Sequence, residues 1–177
     1  NDEFETLFFL FAVAGNETLR NGIPGAVLTL LEHPDQYELL LDNHDLLPGA
    51  VEELLRFWPP VIHFRRTTTC EVNLGGQHID AGQKVAVYHL AANRDPAVFD
   101  DPHRLDLRRN DNDHVSFGFG PHFCLGAHLA RRQVRSMLEE LMTQLGRLEL
   151  AGPPIRLQSN FQQGLKSLPV KWNTNRL

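Results

Sequence analysis

Cysteine is scarce in this 177-residue chain, which holds two. That is too few for a disulfide scaffold and suits a reducing compartment. A basic surplus is also lacking. The formal net charge is −5, which argues against a nucleic-acid partner. No apolar run approaches the roughly 20 residues that a bilayer span requires. The longest, LFFLFAVAG at residues 7–15, also lacks the basic flank of a signal peptide. The segment is therefore read without a membrane span and in a cytoplasmic setting. Internal repeats and low-complexity stretches are absent too. The rest is ordinary globular composition, 42% hydrophobic and 22% charged, long enough for one domain with a core. The first residue is Asn1 rather than Met, inside a helical pattern. The expectation is a fragment whose N-terminal part is missing.

Periodicity divides the chain. Residues 2–31 read as one long helix at risk of a break at Pro24, with a first half apolar nearly all round and so expected to be buried. EHPDQYELLLDN, residues 32–43, reads as a short helix opening at Pro34, and PGAVEELLRFW, residues 48–58, as another stopped by Pro59 and Pro60. Between Arg65 and Leu90 the period becomes two, with turns at Gly75-Gly76 and Ala81-Gly82. Residues 91–116 show no period, and long irregular segments in compact domains are usually functional. A helix from about Cys124 to Leu145 follows, with Gly146 as its C-cap. Strands are expected around LELA and LPVKW. The class is mainly α with a small β part (α+β).

The stretch FGFGPHFCLG, residues 117–126, sets Cys124 behind a glycine-rich loop and at the start of a helix. Unpaired backbone N–H groups and the helix dipole favour thiolate over thiol there. Gly118, Gly120 and Gly126 let the backbone approach a bulky group. Phe117, Phe119 and Phe123 supply apolar surface near the sulfur. A thiolate among glycines and aromatics suits an axial ligand to a flat metal cofactor, haem iron foremost. A buried structural cysteine is the plain alternative. Zinc is another, since His122, Cys124 and His128 lie close together, although Cys70 and His63 offer no spaced partner pair.

FGFGPHFCLGAHLAR, residues 117–131, closely resembles the haem-binding signature of the cytochrome P450 family, most like its soluble bacterial, actinobacterial members. The resemblance makes Cys124 the axial ligand of the haem iron and His122 a partner of a haem propionate. It sets Phe117 beside the sulfur, with Gly118 and Gly126 against the cofactor. AGNET, residues 14–18, resembles the oxygen-activation motif of the family's central helix. There Ala14 and Gly15 would give room above the iron, and Glu17 and Thr18 would relay protons. Leu19 stands where a second threonine is common. EELLR, residues 52–56, carries the ExxR pair Glu53 and Arg56, which taken alone reads as a solvated i,i+3 pair. By resemblance the pair is buried, and DPHRLDL, residues 101–107, supplies Arg104 as third member. PPVIHFRRTT, residues 59–68, resembles the segment that lines the substrate pocket and then meets the haem. It gives Arg66 as a propionate ligand, with Arg65 as rival on the opposite strand face. SNFQQGLKSLPVKW, residues 159–172, resembles the C-terminal hairpin whose tip reaches the pocket.

The resemblance implies residues 1–177 as the C-terminal part of a single haem-thiolate monooxygenase domain. The cofactor would be haem b (iron protoporphyrin IX), with electrons from NAD(P)H through redox partners. One atom of O2 would enter a small hydrophobic substrate, lipid- or steroid-like, with a terpenoid or polyketide as runner-up. Arg131, Arg132 and Arg135 could dock an acidic ferredoxin or other electron-transfer protein, or form a plain solvated face. The other readings are a truncated, non-catalytic fragment that binds haem weakly or not at all, and a zinc-binding interaction module.

Overall fold

A computed structural model describes residues 1–172. Helix α1 runs from Asp2 to Glu32, with the Asn1 side chain accepting from the Glu3 amide. Pro24 lies inside it without ending it, so the expected risk of a break there is not realised. A proline costs one donor but need not end a helix held by tertiary packing. Helices α2 (Pro34–Asp42) and α3 (Leu47–Phe57) follow, each with proline in its first turn. Two small antiparallel sheets come next. Strand β1 (His63–Thr67) pairs with β4 (Lys84–Tyr88), and β2 (Val72–Leu74) with β3 (Gln77–Ile79). A short α4 (His89–Ala92) opens the irregular segment. The last long helix, α5 (Ala127–Leu145), ends at Gly146 with φ 63°. Hairpin strands β5 (Leu148–Leu150), β6 (Ile155–Arg156), β7 (Leu165–Ser167) and β8 (Val170–Trp172) complete it, paired β5 with β8 and β6 with β7. The mainly helical class with small antiparallel sheets is as expected.

The core gathers where α1, α2, α3 and α5 meet. Leu30 of α1, Leu40 of α2, Leu54 of α3 and Leu138 of α5 are at most 2% exposed. Apolar burial of this kind contributes about 1.5–3 kcal/mol per large side chain. Tyr37 ties the ends together, its hydroxyl donating to the Gly146 carbonyl and accepting from the Leu148 amide, both at 3.2 Å. Gly25 lets Trp58 pack directly against α1, since a Cβ there would overlap the indole ring.

Burial of α1 is the reverse of the expectation. Its buried residues begin at Asn21, while Leu7, Phe8 and Phe11 are 49%, 67% and 51% exposed. All the core contacts of α1 fall on its second half, and no described element packs over its first. An all-round apolar sequence marks a surface that needs cover but does not say which element supplies it.

Candidate functional site

Helix α3 organises the site. Its two adjacent glutamates point to different networks, as neighbours about 100° apart on a helix must. Glu53 and Arg56 are fully buried and joined through two bonds, Arg56 Nε to Glu53 Oε2 at 2.7 Å and Nη2 to Oε1 at 2.8 Å. The surface-pair alternative is thereby excluded. Arg56 Nη1 also donates to the carbonyls of Asn93 at 2.7 Å and Pro102 at 2.8 Å, and Nη2 to that of Arg104 at 3.2 Å. Irregular backbone lacks ladder partners, and a buried guanidinium with five donors supplies them.

The third member of this cluster is Arg109, not Arg104. Arg109 Nε lies 3.2 Å from Glu53 Oε2, with its side chain 11% exposed. Arg104 contributes only its main-chain carbonyl, and its side chain is exposed. A turn in which the Arg104 amide bonds to the Asp101 carbonyl bends the chain at this point. Glu53 is completed by the Asp106 amide at 3.0 Å and Asn112 Nδ2 at 2.9 Å.

Asn93 carries this frame to the cysteine loop. It is fully buried. Its Nδ2 donates to the Arg56 carbonyl and to Ser116 Oγ, and its Oδ1 accepts from the Val115 amide. Ser116 Oγ donates to the Leu55 carbonyl at 2.8 Å. Sequence reasoning missed Asn93, Arg109, Asn112 and His114. They lie in a segment without period, where no pattern separates a buried polar residue from a solvated one.

The loop itself turns on two glycines with positive φ, Gly118 at 70° and Gly120 at 66°. The Cys124 amide donates to the Phe117 carbonyl at 2.9 Å, and the Cys124 carbonyl accepts from Ala127 at 3.2 Å. Cys124 therefore precedes α5 rather than starting it, a shift of three residues from the expected boundary. Its sulfur still leans to the helix mouth, 4.0 Å from where a Cβ on Gly126 would sit. Cys124 is a free, exposed thiol, so it is not the buried structural cysteine of the plain alternative. Phe119, Phe123 and Leu125 beside it are 65%, 49% and 82% exposed.

These residues fit a flat apolar group with one axial sulfur ligand. An exposed thiol lies among exposed aromatics on a loop whose backbone is open at Gly120, where an added Cβ would meet nothing within 4 Å. Among the described residues no group of three or more His, Cys, Asp or Glu could hold a metal ion.

Glu52 serves the second network. Arg131 grips it by Nε at 2.7 and 2.9 Å and by Nη2 at 2.8 Å. His114 Nε2 lies 3.3 Å from Glu52 Oε2, with the His114 side chain 2% exposed. Burial pushes the Glu52 carboxyl upward, but the bonds and charges of His114 and Arg131 outweigh it and bring its pKa to about 2. Arg131 also lies 4.5 Å over the Phe117 ring. It is thus engaged inside the protein and differs from the exposed Arg132 and Arg135.

The remaining candidates lie elsewhere. Arg66 pairs across the sheet with Val85, and Arg65 with Ala86. Arg66 is exposed, and its Nη1 donates to the Arg65 carbonyl at 3.1 Å. It acts on the buried His89, whose pKa is lowered by burial first and then by Arg66 and His63. His122 is exposed in the turn Gly120–His122. On α1, Thr18 Oγ1 donates to the Ala14 carbonyl at 2.6 Å, and Glu17 pairs with Arg20 at 3.5 Å. Nothing lies within 4 Å of where a Cβ on Gly15 would stand. Among the described residues no hydrogen bond joins Arg66 or Thr18 to the cysteine loop, and the His122 side chain, within that loop, makes none. The hairpin tip does reach α1: Asn21 Nδ2 donates to Gln162 Oε1 at 2.8 Å, and Val61 bridges to Gln162.

The chain resembles known proteins in both sequence and fold. The family model described as cytochrome P450 matches residues 40–146. The chain is 45% identical over 173 residues to a methyl-branched lipid omega-hydroxylase of Mycobacterium tuberculosis, covering 97% of this chain and 40% of that protein. It is 44% identical over 169 residues to a steroid C26-monooxygenase of Mycolicibacterium smegmatis, covering 94% of this chain and 42% of that one. It superposes on the crystal structure of CYP109E1 from Bacillus megaterium in complex with corticosterone with a TM-score of 0.94 and 35% identity, covering 98% of this chain and 47% of that one. The chain thus spans roughly two fifths of the length of these curated relatives.

Proposed function

Because the chain belongs to the cytochrome P450 family, we propose that it forms the C-terminal part of a haem-thiolate monooxygenase domain acting on a lipid- or steroid-like substrate. The observation that carries the proposal is Cys124. It is exposed, framed by exposed Phe119 and Phe123, and its amide is held by the Phe117 carbonyl. Bound haem b would supply the oxygen chemistry, with electrons drawn from NAD(P)H through a redox partner. The chain's residues have separate tasks. Cys124 ligates the iron through Sγ. Phe117, Gly118 and Gly126 shape the seat around the sulfur. His122 and Arg66 donate to the propionates, and a guanidinium suits a carboxylate because it can donate two parallel bonds.

On α1, Ala14 and Gly15 leave room for dioxygen. Thr18 Oγ1 donates its one hydrogen to the Ala14 carbonyl, so its lone pairs are free to accept a hydrogen bond, and delivering its own proton requires that bond to be released. Glu17, half-buried and paired among the described residues with the exposed Arg20, is the neighbouring carboxylate that would exchange protons with Thr18. Substrate class rests on the lipid and steroid hydroxylases among the relatives. A relative named linalool 8-monooxygenase, 43% identical over 161 residues, keeps a terpenoid as runner-up. Docking of an acidic ferredoxin falls to Arg132 and Arg135, since Arg131 is occupied by Glu52. A cytoplasmic setting belongs to the same reading, and no described helix is long and apolar enough to cross a membrane.

The test is optical. Haem-loaded protein is reduced, exposed to carbon monoxide and scanned. A red-shifted Soret band of the thiolate type is expected, and Cys124→Ser abolishes it. A histidine-type band, or a Cys124→Ser protein that keeps the thiolate band, would sink the assignment. A second reading is that these 177 residues alone hold haem weakly and turn nothing over. It draws on the exposed apolar half of α1 and predicts little haem uptake.

A further inference from the structure

Resting on the reading of Cys124 as the iron ligand, we propose that Glu52 and Arg131 form a positioning pair for that ligand, acting through Phe117. Glu52 is the hub. Its carboxylate takes the Arg131 fork in three bonds of 2.7–2.9 Å, and His114 approaches it at 3.3 Å. Both partners bear on one aromatic ring. The Arg131 guanidinium stands 4.5 Å over the Phe117 centroid, and the His114 ring lies 5.9 Å from it, centroid to centroid. The Phe117 carbonyl in turn accepts the Cys124 amide at 2.9 Å. Three elements that do not pair through backbone ladders, α3, the cysteine loop and α5, are thereby fixed at the residue whose carbonyl orients the cysteine.

The geometry uses features peculiar to arginine. A planar guanidinium can give its edge to a carboxylate and its face to a ring at the same time. Lysine keeps the charge but offers neither the fork nor the plane. A docking cation needs only charge, so lysine would serve in that role. The two roles therefore separate on Arg131→Lys.

The experiment uses haem-loaded protein and the variants Arg131→Lys, Arg131→Gln and Glu52→Gln. The ferrous–carbon monoxide complex is followed as its thiolate band decays to the thiol-type band, with far-UV circular dichroism recorded in parallel. Both Arg131 variants and Glu52→Gln are expected to lose the thiolate band about tenfold faster, the effect of one lost cation–π contact and fork, with helicity retained. An Arg131→Lys protein as long-lived as the unaltered one overturns the proposal and returns Arg131 to charge alone. Decay that tracks loss of helicity overturns it too, since the pair would then hold the fold and not the ligand. If the unaltered protein shows no thiolate band, the haem-ligand reading itself fails, and that is seen before any variant is made.

Discussion

Truncating Arg109 will destabilise the protein, while truncating Arg104 will not. The two arginines are five positions apart in the same irregular segment, so composition and exposure scales treat them alike. The structure separates them. Arg109 gives Nε to the buried Glu53 at 3.2 Å and Nη1 to the Asp100 carbonyl at 2.9 Å. Arg104 offers a carbonyl that an alanine would offer equally. A bond to a buried carboxylate contributes about 1.5–3 kcal/mol. Glu53 keeps Arg56, Asn112 and the Asp106 amide when Arg109 is lost, so the carboxylate is not stranded. Arg109→Ala should therefore cost about 2 kcal/mol, below the roughly 3–5 kcal/mol expected when Arg56→Ala leaves Glu53 without its main partner. Arg104→Ala should stay within about 0.5 kcal/mol of the unaltered protein. Urea unfolding followed by circular dichroism measures all three, read as midpoint shifts at constant slope. An Arg104→Ala protein as destabilised as Arg109→Ala would refute the assignment of the third member.

Other outcomes follow from the same contacts. Gly25→Ala and Gly164→Ala would drive a methyl into Trp58 and Asn21 respectively, costing about 1–3 kcal/mol each as overpacking. Thermal melts that do not move would contradict the close approach. Glu52 has its pKa lowered from 4.5 to about 2. The stability it contributes is present above the unfolded value and is lost as pH falls from about 4.5 to about 2. Glu52→Gln should flatten that part of the acid-unfolding profile, and a profile with unchanged slope would count against the network. Thr18→Ala should leave haem binding intact while lowering product formed per electron pair consumed. Unchanged coupling removes Thr18 from the proton path.

The sequence carries different parts of this molecule with different clarity. Regular elements were legible because their cause is local. The apolar spacing of Val134, Leu138 and Leu141 marks α5, and the alternation around Val85 and Val87 marks a strand. Cys124 stood out because glycine, phenylalanine and a helical pattern meet there within ten residues. Two readings failed for a common reason. The first half of α1 was expected to be buried, and Arg104 was expected to meet Glu53. Both judgements depend on what lies across from a residue, and periodicity describes only the residue's own element. The same limit hid Asn93, whose three side-chain bonds reach positions 22–37 residues away.

That limit also explains why the charged residues of α3 are easily misjudged. An amphipathic helix with Glu52, Glu53 and Arg56 suggests a solvated face, and an isolated i,i+3 pair contributes little. The neighbouring segment reverses the inference. Residues 93–116 hold no helix and no strand, so most of their amides and carbonyls have no regular partner. Burying such a chain demands polar side chains inside. Arg56 donates to three of those carbonyls, and Glu53 and Asn93 each accept from one of those amides. A long aperiodic stretch next to a charged helix is thus itself evidence that some of those charges are interior. The cysteine loop is the downstream beneficiary, because Ser116 and Val115 are tied to Asn93 one residue ahead of Phe117. The stem of the cysteine loop is thus tied to buried polar chemistry on another segment, and a hydrophobic replacement of Asn93 should loosen that stem although the substitution lies outside the loop.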